Sequence, residues 1–189
     1  NLSTVMMYAF DNRADFTAVD EPFYAAYLAR TGRVHPMGDA ILAAQPQVPA
    51  EVIAKLAAPE PEGRHVWQKH MAQHMTPGVP RDWIRDMVNV FLIRHPARVV
   101  ASFSARYDRP ELDEIGFVQQ AELYDLTGGA AVVIDGAGVA GGAPRGGRRL
   151  GRALVRRGAP FDRVRGGRGA AAGPGGRGRR AGRGRAALL

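Results

Sequence analysis

The chain has no cysteine among its 189 residues. Disulfides, a thiol nucleophile and a thiolate metal site are therefore excluded. No run of 18 apolar residues and no signal-peptide pattern occurs, so the expectation is a soluble, cytoplasmic protein without a membrane partner. Lysine and acid are both scarce in one long part. Residues 136–189 carry 14 arginines, no lysine and one acid, Asp162, for a net charge of +13. Residues 1–135 carry 12 Lys and Arg against 17 Asp and Glu, a net of −5, so the overall +8 averages two unlike compositions. Glycine divides likewise, with 7 residues in the first part and 17 in the second.

The second part also lacks aromatics, Phe161 being its only one. Such a stretch buries too little apolar surface to offset its ordering entropy. It fits an arginine- and glycine-rich nucleic-acid-binding tail, but the aromatics that stack on bases are missing. Gly, Arg, Ala and Pro are also the residues of GC-rich codons, so an out-of-frame gene end would read the same way. The latter reading is favoured, and nucleic acid is not the expected partner. The expected organisation is a domain over residues 1–135 followed by a tail over 136–189. The chain opens on Asn1 rather than Met, inside what reads as a helix start, and is read as a fragment.

What is present centres on Val88-Asn89-Val90-Phe91-Leu92-Ile93-Arg94-His95-Pro96. A run this apolar and β-branched, with no alternation, reads as a strand buried on both faces of a parallel sheet. Pro96 suits the first turn of a helix, where its missing N–H costs nothing. Arg94 then sits at the tip of a strand beside a helix N-terminus, where open α/β sheets bind ligands and where anions are favoured. Ser102 lies two helical turns further on.

Other segments alternate in type. Asn1 to Thr4 supplies N-cap residues ahead of the apolar run Val5 to Phe10, a helix of about three turns. Phe16 to Asp20 reads as a strand, Pro22 opens a helix, and Gly38 to Ala57 is helical with breaks at Pro46 and Pro49. His65 to His70 reads as a strand, Arg81 to Asp86 as a short helix, Glu111 to Leu126 as a helix and Ala131 to Asp135 as a last strand. This alternation predicts an α/β fold: a three-layer α/β/α sandwich with a parallel sheet. One strand, ahead of Asn1, is missing from the pattern.

Two strand tips carry chemistry-bearing side chains. Asp20-Glu21-Pro22 places two acids beside a helix N-terminus, either as site residues or as partners of the helix dipole. Lys69-His70 ends the next strand, either as site residues or as a solvated strand end. His70 and His74 have the spacing of paired metal ligands on a helix, but no HExxH glutamate accompanies them and the segment leaves a strand, so no metal is expected. Trp67, Trp83, Phe23, Tyr24 and Tyr27 fit an apolar pocket or plain core packing.

Four of these features stand in the order seen in a known family: Asn1-Leu2-Ser3-Thr4, Asp20-Glu21-Pro22, Trp67-Gln68-Lys69-His70, and Phe91-Leu92-Ile93-Arg94-His95-Pro96 followed by Ser102. Together, over about residues 1–135, they resemble the P-loop sulfotransferases, bacterial members in particular. The Arg94…Ser102 element is the most specific part. The resemblance implies a P-loop NTPase-like fold and 3′-phosphoadenosine 5′-phosphosulfate as co-substrate, without a metal. It implies that Arg94 and Ser102 hold the 3′-phosphate, and that Asn1, Ser3 and Thr4 close the loop around the 5′-phosphosulfate. The Gly-Pro-Arg or Gly-Pro-Lys beginning of that loop would precede Asn1, so this chain is expected to be impaired. It implies Glu21 or His70 as the base that takes a proton from a small-molecule hydroxyl or amine, with Glu21 preferred, and Lys69 as the cation near the sulfuryl group. A kinase-like P-loop phosphotransferase would instead need a GxxxxGK[ST] loop and a magnesium-binding acid, and no such motif is visible.

Overall fold

Apolar runs without alternation make strands that must be covered on both sides, and residues 89–91 of the central run are buried in that way. A computed structural model describes residues 2–60, 62–105, 112–137 and 185–188. The strands are β1 (Phe16–Asp20), β2 (His65–Lys69), β3 (Val88–Ile93), β4 (Val132–Asp135) and β5 (Arg185–Leu188). They form one sheet in the order β1-β2-β5-β3-β4, with every pairing parallel. The helices are α1 (Leu2–Asp11), α2 (Tyr24–Thr31), α3 (Gly38–Ala44), α4 (Pro49–Ala57), α5 (Pro96–Ser104), α6 (Leu112–Ile115) and α7 (Phe117–Leu126), with 3-10 turns at Ala72–His74 and Asp82–Asp86.

Because successive strand residues point to opposite faces, β3 feeds two cores, Val90 on one face and Phe91 on the other. On one face α1 brings Met6, Met7 and Phe10 against Phe16, Trp67, Val90 and Ala186. Phe10 stacks on the fully buried Trp67, ring centroids 3.8 Å apart and planes within 10°. On the other face Phe91 meets Phe23, Val52, Met75, Ile84 and Leu123. Of the aromatics weighed as pocket lining, Trp67, Phe23 and Tyr27 are buried core residues, while Tyr24 and Trp83 are partly exposed. The chain is thus an α/β protein with helices on both faces of a parallel sheet, in keeping with a P-loop-like fold.

Local chemistry explains most boundaries. Pro49 and Pro96 open α4 and α5, and Gly32 closes α2 in the left-handed region at φ 66°. The segment expected as one helix from Glu111 to Leu126 is divided. Gly116, at φ 79°, separates α6 from α7, and a Cβ there would lie 2.9 Å from the backbone nitrogen of Gln73. Only glycine accepts both the backbone angle and the approach. The sheet also differs from expectation at its centre. Its middle strand, β5, comes from the arginine- and glycine-rich far part of the chain, between β2 and β3. Asn1 lies outside the described residues, as do 138–184.

Candidate functional site

The C-terminal ends of parallel strands point one way, and the candidate segments lie at that end. Asp20 and Lys69 end β1 and β2 and are partners in register. Their side chains meet, with Lys69 Nζ donating to Asp20 Oδ1 at 2.9 Å. Lys69 also donates to Glu21 Oε1. The Lys69 side chain is 3% exposed, against 22% for Glu21 and 50% for Asp20. Burial pushes the Lys69 ammonium toward the neutral form, but hydrogen bonds and charge from Asp20 and Glu21 outweigh it and raise its pKa. The result is a buried lysine, charged at neutral pH, between two carboxylates that reach solvent.

Glu21 is held in an unusual backbone conformation, at φ 42°. For a side chain larger than glycine or asparagine this costs about 1–2 kcal/mol. The conformation is anchored at both ends. Glu21 N donates to Lys69 O at 2.9 Å, and Glu21 O accepts from Tyr24 N at 3.0 Å at the start of α2.

His70, next in sequence to Lys69, sits apart from that triad in chemistry. It is buried against Phe23 and Trp83, with ring centroids 5.9 and 5.3 Å away. Its Nε2 shares a hydrogen bond with Gln68 Oε1 at 3.1 Å, and its Nδ1 has no partner among the described residues. Desolvation lowers its pKa to about 3, so the ring is neutral at physiological pH. His74 is likewise buried, stacked on Tyr24 at 4.9 Å, and its pKa also falls to about 3. Among the described residues, no group of three or more His, Cys, Asp or Glu could hold a metal ion.

The first turn of α1 lies at the same end of the sheet. Gly136, just past β4, is wedged between that turn and the tip of β3. A Cβ on it would be 3.3 Å from Ile93 O and 3.4 Å from Leu2 Cδ2. Ser3 is buried and Thr4 half-buried in this turn. Arg94 follows Ile93 directly, is exposed, and has no ion-pair partner among the described residues. His95 caps α5, its Nδ1 accepting from Ala97 N at 3.3 Å, and Ser102 is exposed near the far end of that helix. α5 carries no buried side chain.

The C-terminal end of the sheet therefore carries a buried cation with two acids, a helix N-terminus, an exposed guanidinium without an ion-pair partner among the described residues, and a capped helix with a hydroxyl. Each part suits an anion or a proton transfer. Sequence reasoning named these residues, but it missed that Asp20 and Glu21 share one lysine. The equal offsets of Asp20 and Lys69 at the ends of paired parallel strands were the available signal.

No helix among the described residues is long and apolar enough to cross a membrane. No solved structure matches the chain. Two plant proteins do. The chain is 27% identical over 124 residues to "Branched-chain-amino-acid aminotransferase-like protein 2" of Arabidopsis thaliana, and 28% identical over the same length to "Branched-chain-amino-acid aminotransferase-like protein 1". Each match covers 66% of this chain but 22% of the relative, so the chain spans about a fifth of their length. The family model for the sulfotransferase domain matches residues 1–175, and the chain belongs to that family.

Proposed function

We propose that the site transfers a sulfuryl group from 3′-phosphoadenosine 5′-phosphosulfate to a hydroxyl or amine of a small-molecule acceptor. The observation that carries this reading is Lys69. A cation kept charged in a buried position, with two carboxylates in contact and a helix N-terminus at the same sheet end, is suited to hold negative charge on a transferring group. The residues present fit such a donor: two separated cations, Lys69 and Arg94, match two separated anionic groups. Arg94 presents a planar fork of donors for the 3′-phosphate, and Ser102 adds a hydroxyl. Ser3 and Thr4 belong to the helix end that would face the phosphosulfate.

In the transfer the acceptor oxygen or nitrogen forms a bond to sulfur, and the bond from sulfur to the bridging phosphate oxygen breaks. Adenosine 3′,5′-bisphosphate leaves, and the acceptor proton passes to a base. Glu21 is that base. It reaches solvent, whereas the His70 ring is buried with a strongly lowered pKa and is a poor proton acceptor. Lys69 shifts its hydrogen bonds from the carboxylates to the sulfuryl oxygens as Glu21 takes the proton.

Calorimetric titration with adenosine 3′,5′-bisphosphate tests the donor assignment. Binding that weakens sharply in Arg94→Ala supports it. Equal affinity in the parent and the variant would sink it.

A further inference from the structure

Helix α5 begins with side chains of the wrong sign for its dipole. A helix N-terminus carries partial positive charge, which acids stabilise and cations oppose. The first turn of α5 holds no acid. It holds Arg98, the third residue of the helix, whose backbone N donates to His95 O at 2.9 Å. Arg94 stands immediately before the cap residue His95. Both arginine side chains are exposed, and neither has an ion-pair partner among the described residues. Packing does not account for them either, since no side chain of α5 is buried.

Spacing joins Arg98 to residues already assigned to the nucleotide. Arg98 and Ser102 are four apart on α5, so they share one face and stand about 6 Å apart along its axis. Arg94 precedes Arg98 by the same interval in sequence. A long side chain at position 98 therefore lies between the guanidinium and the hydroxyl that the proposed reading gives to the 3′-phosphate. A phosphate monoester carries nearly two negative charges at neutral pH and three acceptor oxygens. One guanidinium fork engages two of those oxygens, which leaves an oxygen and a charge for a second cation.

We propose that Arg98 is a second phosphate-holding residue of this site. With Arg94 and Ser102 it takes the 3′-phosphate, and it makes the site select a 3′-phosphorylated nucleotide over the 3′-hydroxyl form. The proposal rests on the sulfuryl-transfer reading. The bound phosphate also supplies the negative charge that the first turn lacks, so the nucleotide firms α5 as it binds.

Calorimetric titration of the full chain with adenosine 3′,5′-bisphosphate and with adenosine 5′-monophosphate tests the selectivity. Arg98→Gln weakens binding of the bisphosphate about tenfold and leaves the monophosphate unchanged. Equal loss for both nucleotides, the mark of general charge attraction, overturns the proposal, as does no loss for either. Arg94→Ala separates the two claims. Bisphosphate binding that falls in Arg94→Ala but not in Arg98→Gln keeps the sulfuryl-transfer reading and rejects the role of Arg98. Bisphosphate binding that neither substitution weakens rejects both, and so does a parent chain that does not bind it.

Hydrogen exchange reads the same residue without a ligand. Arg98→Glu places an acid where the dipole favours one, and slows exchange at the amides of residues 99–104 about two- to fivefold in the free chain. The bisphosphate slows those amides in the parent and not in Arg98→Glu. Unchanged or faster exchange in the free variant overturns the proposal.

Discussion

Asp20 and Lys69 are register partners at the ends of two parallel strands, and their side chains close the pair at 2.9 Å. Because the lysine is buried and the aspartate is half exposed, the two members are not equivalent. Removing the lysine strands two carboxylates, whereas removing Asp20 leaves Lys69 still held by Glu21. Lys69→Met is expected to cost about 2 kcal/mol, less than the roughly 3–5 kcal/mol of breaking a fully buried pair. Asp20→Asn is expected to cost less than half of that. Urea titrations of the two variants check the order.

The same lysine sets a pH limit on the basic side. Its folded-state pKa is raised, so its contribution is fully present below the ordinary lysine range of about 10.4. It is lost only as pH climbs through the higher folded value. Stability measured from pH 8 upward should therefore show a drop above about pH 10 that Lys69→Met lacks.

The acid side is governed by the buried histidines. Each is neutral in the fold, with a pKa lowered to about 3, while the unfolded chain binds a proton near pH 6.5. Their depressed values favour the fold fully above about pH 6.5, and that advantage shrinks as pH falls toward 3. His70→Gln keeps a group able to bond Gln68 but removes the titration. Its stability should fall less steeply than the parent's between pH 6.5 and 4; parallel curves would exclude His70 as a source of acid lability.

Gly116→Ala tests the break between α6 and α7. The new Cβ would meet the Gln73 backbone at 2.9 Å, at a φ that L side chains rarely adopt. The expected cost is about 2–4 kcal/mol, with loss of packing at Leu123. A thermal midpoint within a degree of the parent's would show that the loop gives way freely.

Arg94→Ala should leave stability unchanged, because the side chain is exposed. On the proposed reading it lowers affinity for adenosine 3′,5′-bisphosphate by about tenfold or more, as expected for a charged hydrogen-bonding fork on phosphate. Ser102→Ala should lower it by a few-fold, again with no change in melting.

The legible parts of this fold are those where local and global signals agree. The run from Val88 to Leu92 is apolar but for Asn89, and its middle is buried on both faces; Pro96 marks the helix that follows. β5 was illegible because nothing in Arg-Ala-Ala-Leu marks a strand; pairing with β2 and β3 confers its structure. Gly116 was missed because its need for glycine arises from Gln73, 43 positions away. The acids and the lysine could be named separately, but their union depends on the register of β1 against β2, which no short motif encodes.

Helix α5 has a further consequence. It links Arg94 to Ser102, yet none of its side chains is buried. An element so lightly anchored opens at small free-energy cost. On the proposed reading, the adenosine bisphosphate left after transfer is gripped by a part of the protein that readily lets go, while the buried Lys69 end stays rigid. Departure of the spent nucleotide, a frequent bottleneck of turnover, would then be eased by the same thin packing that limits how tightly the donor is held.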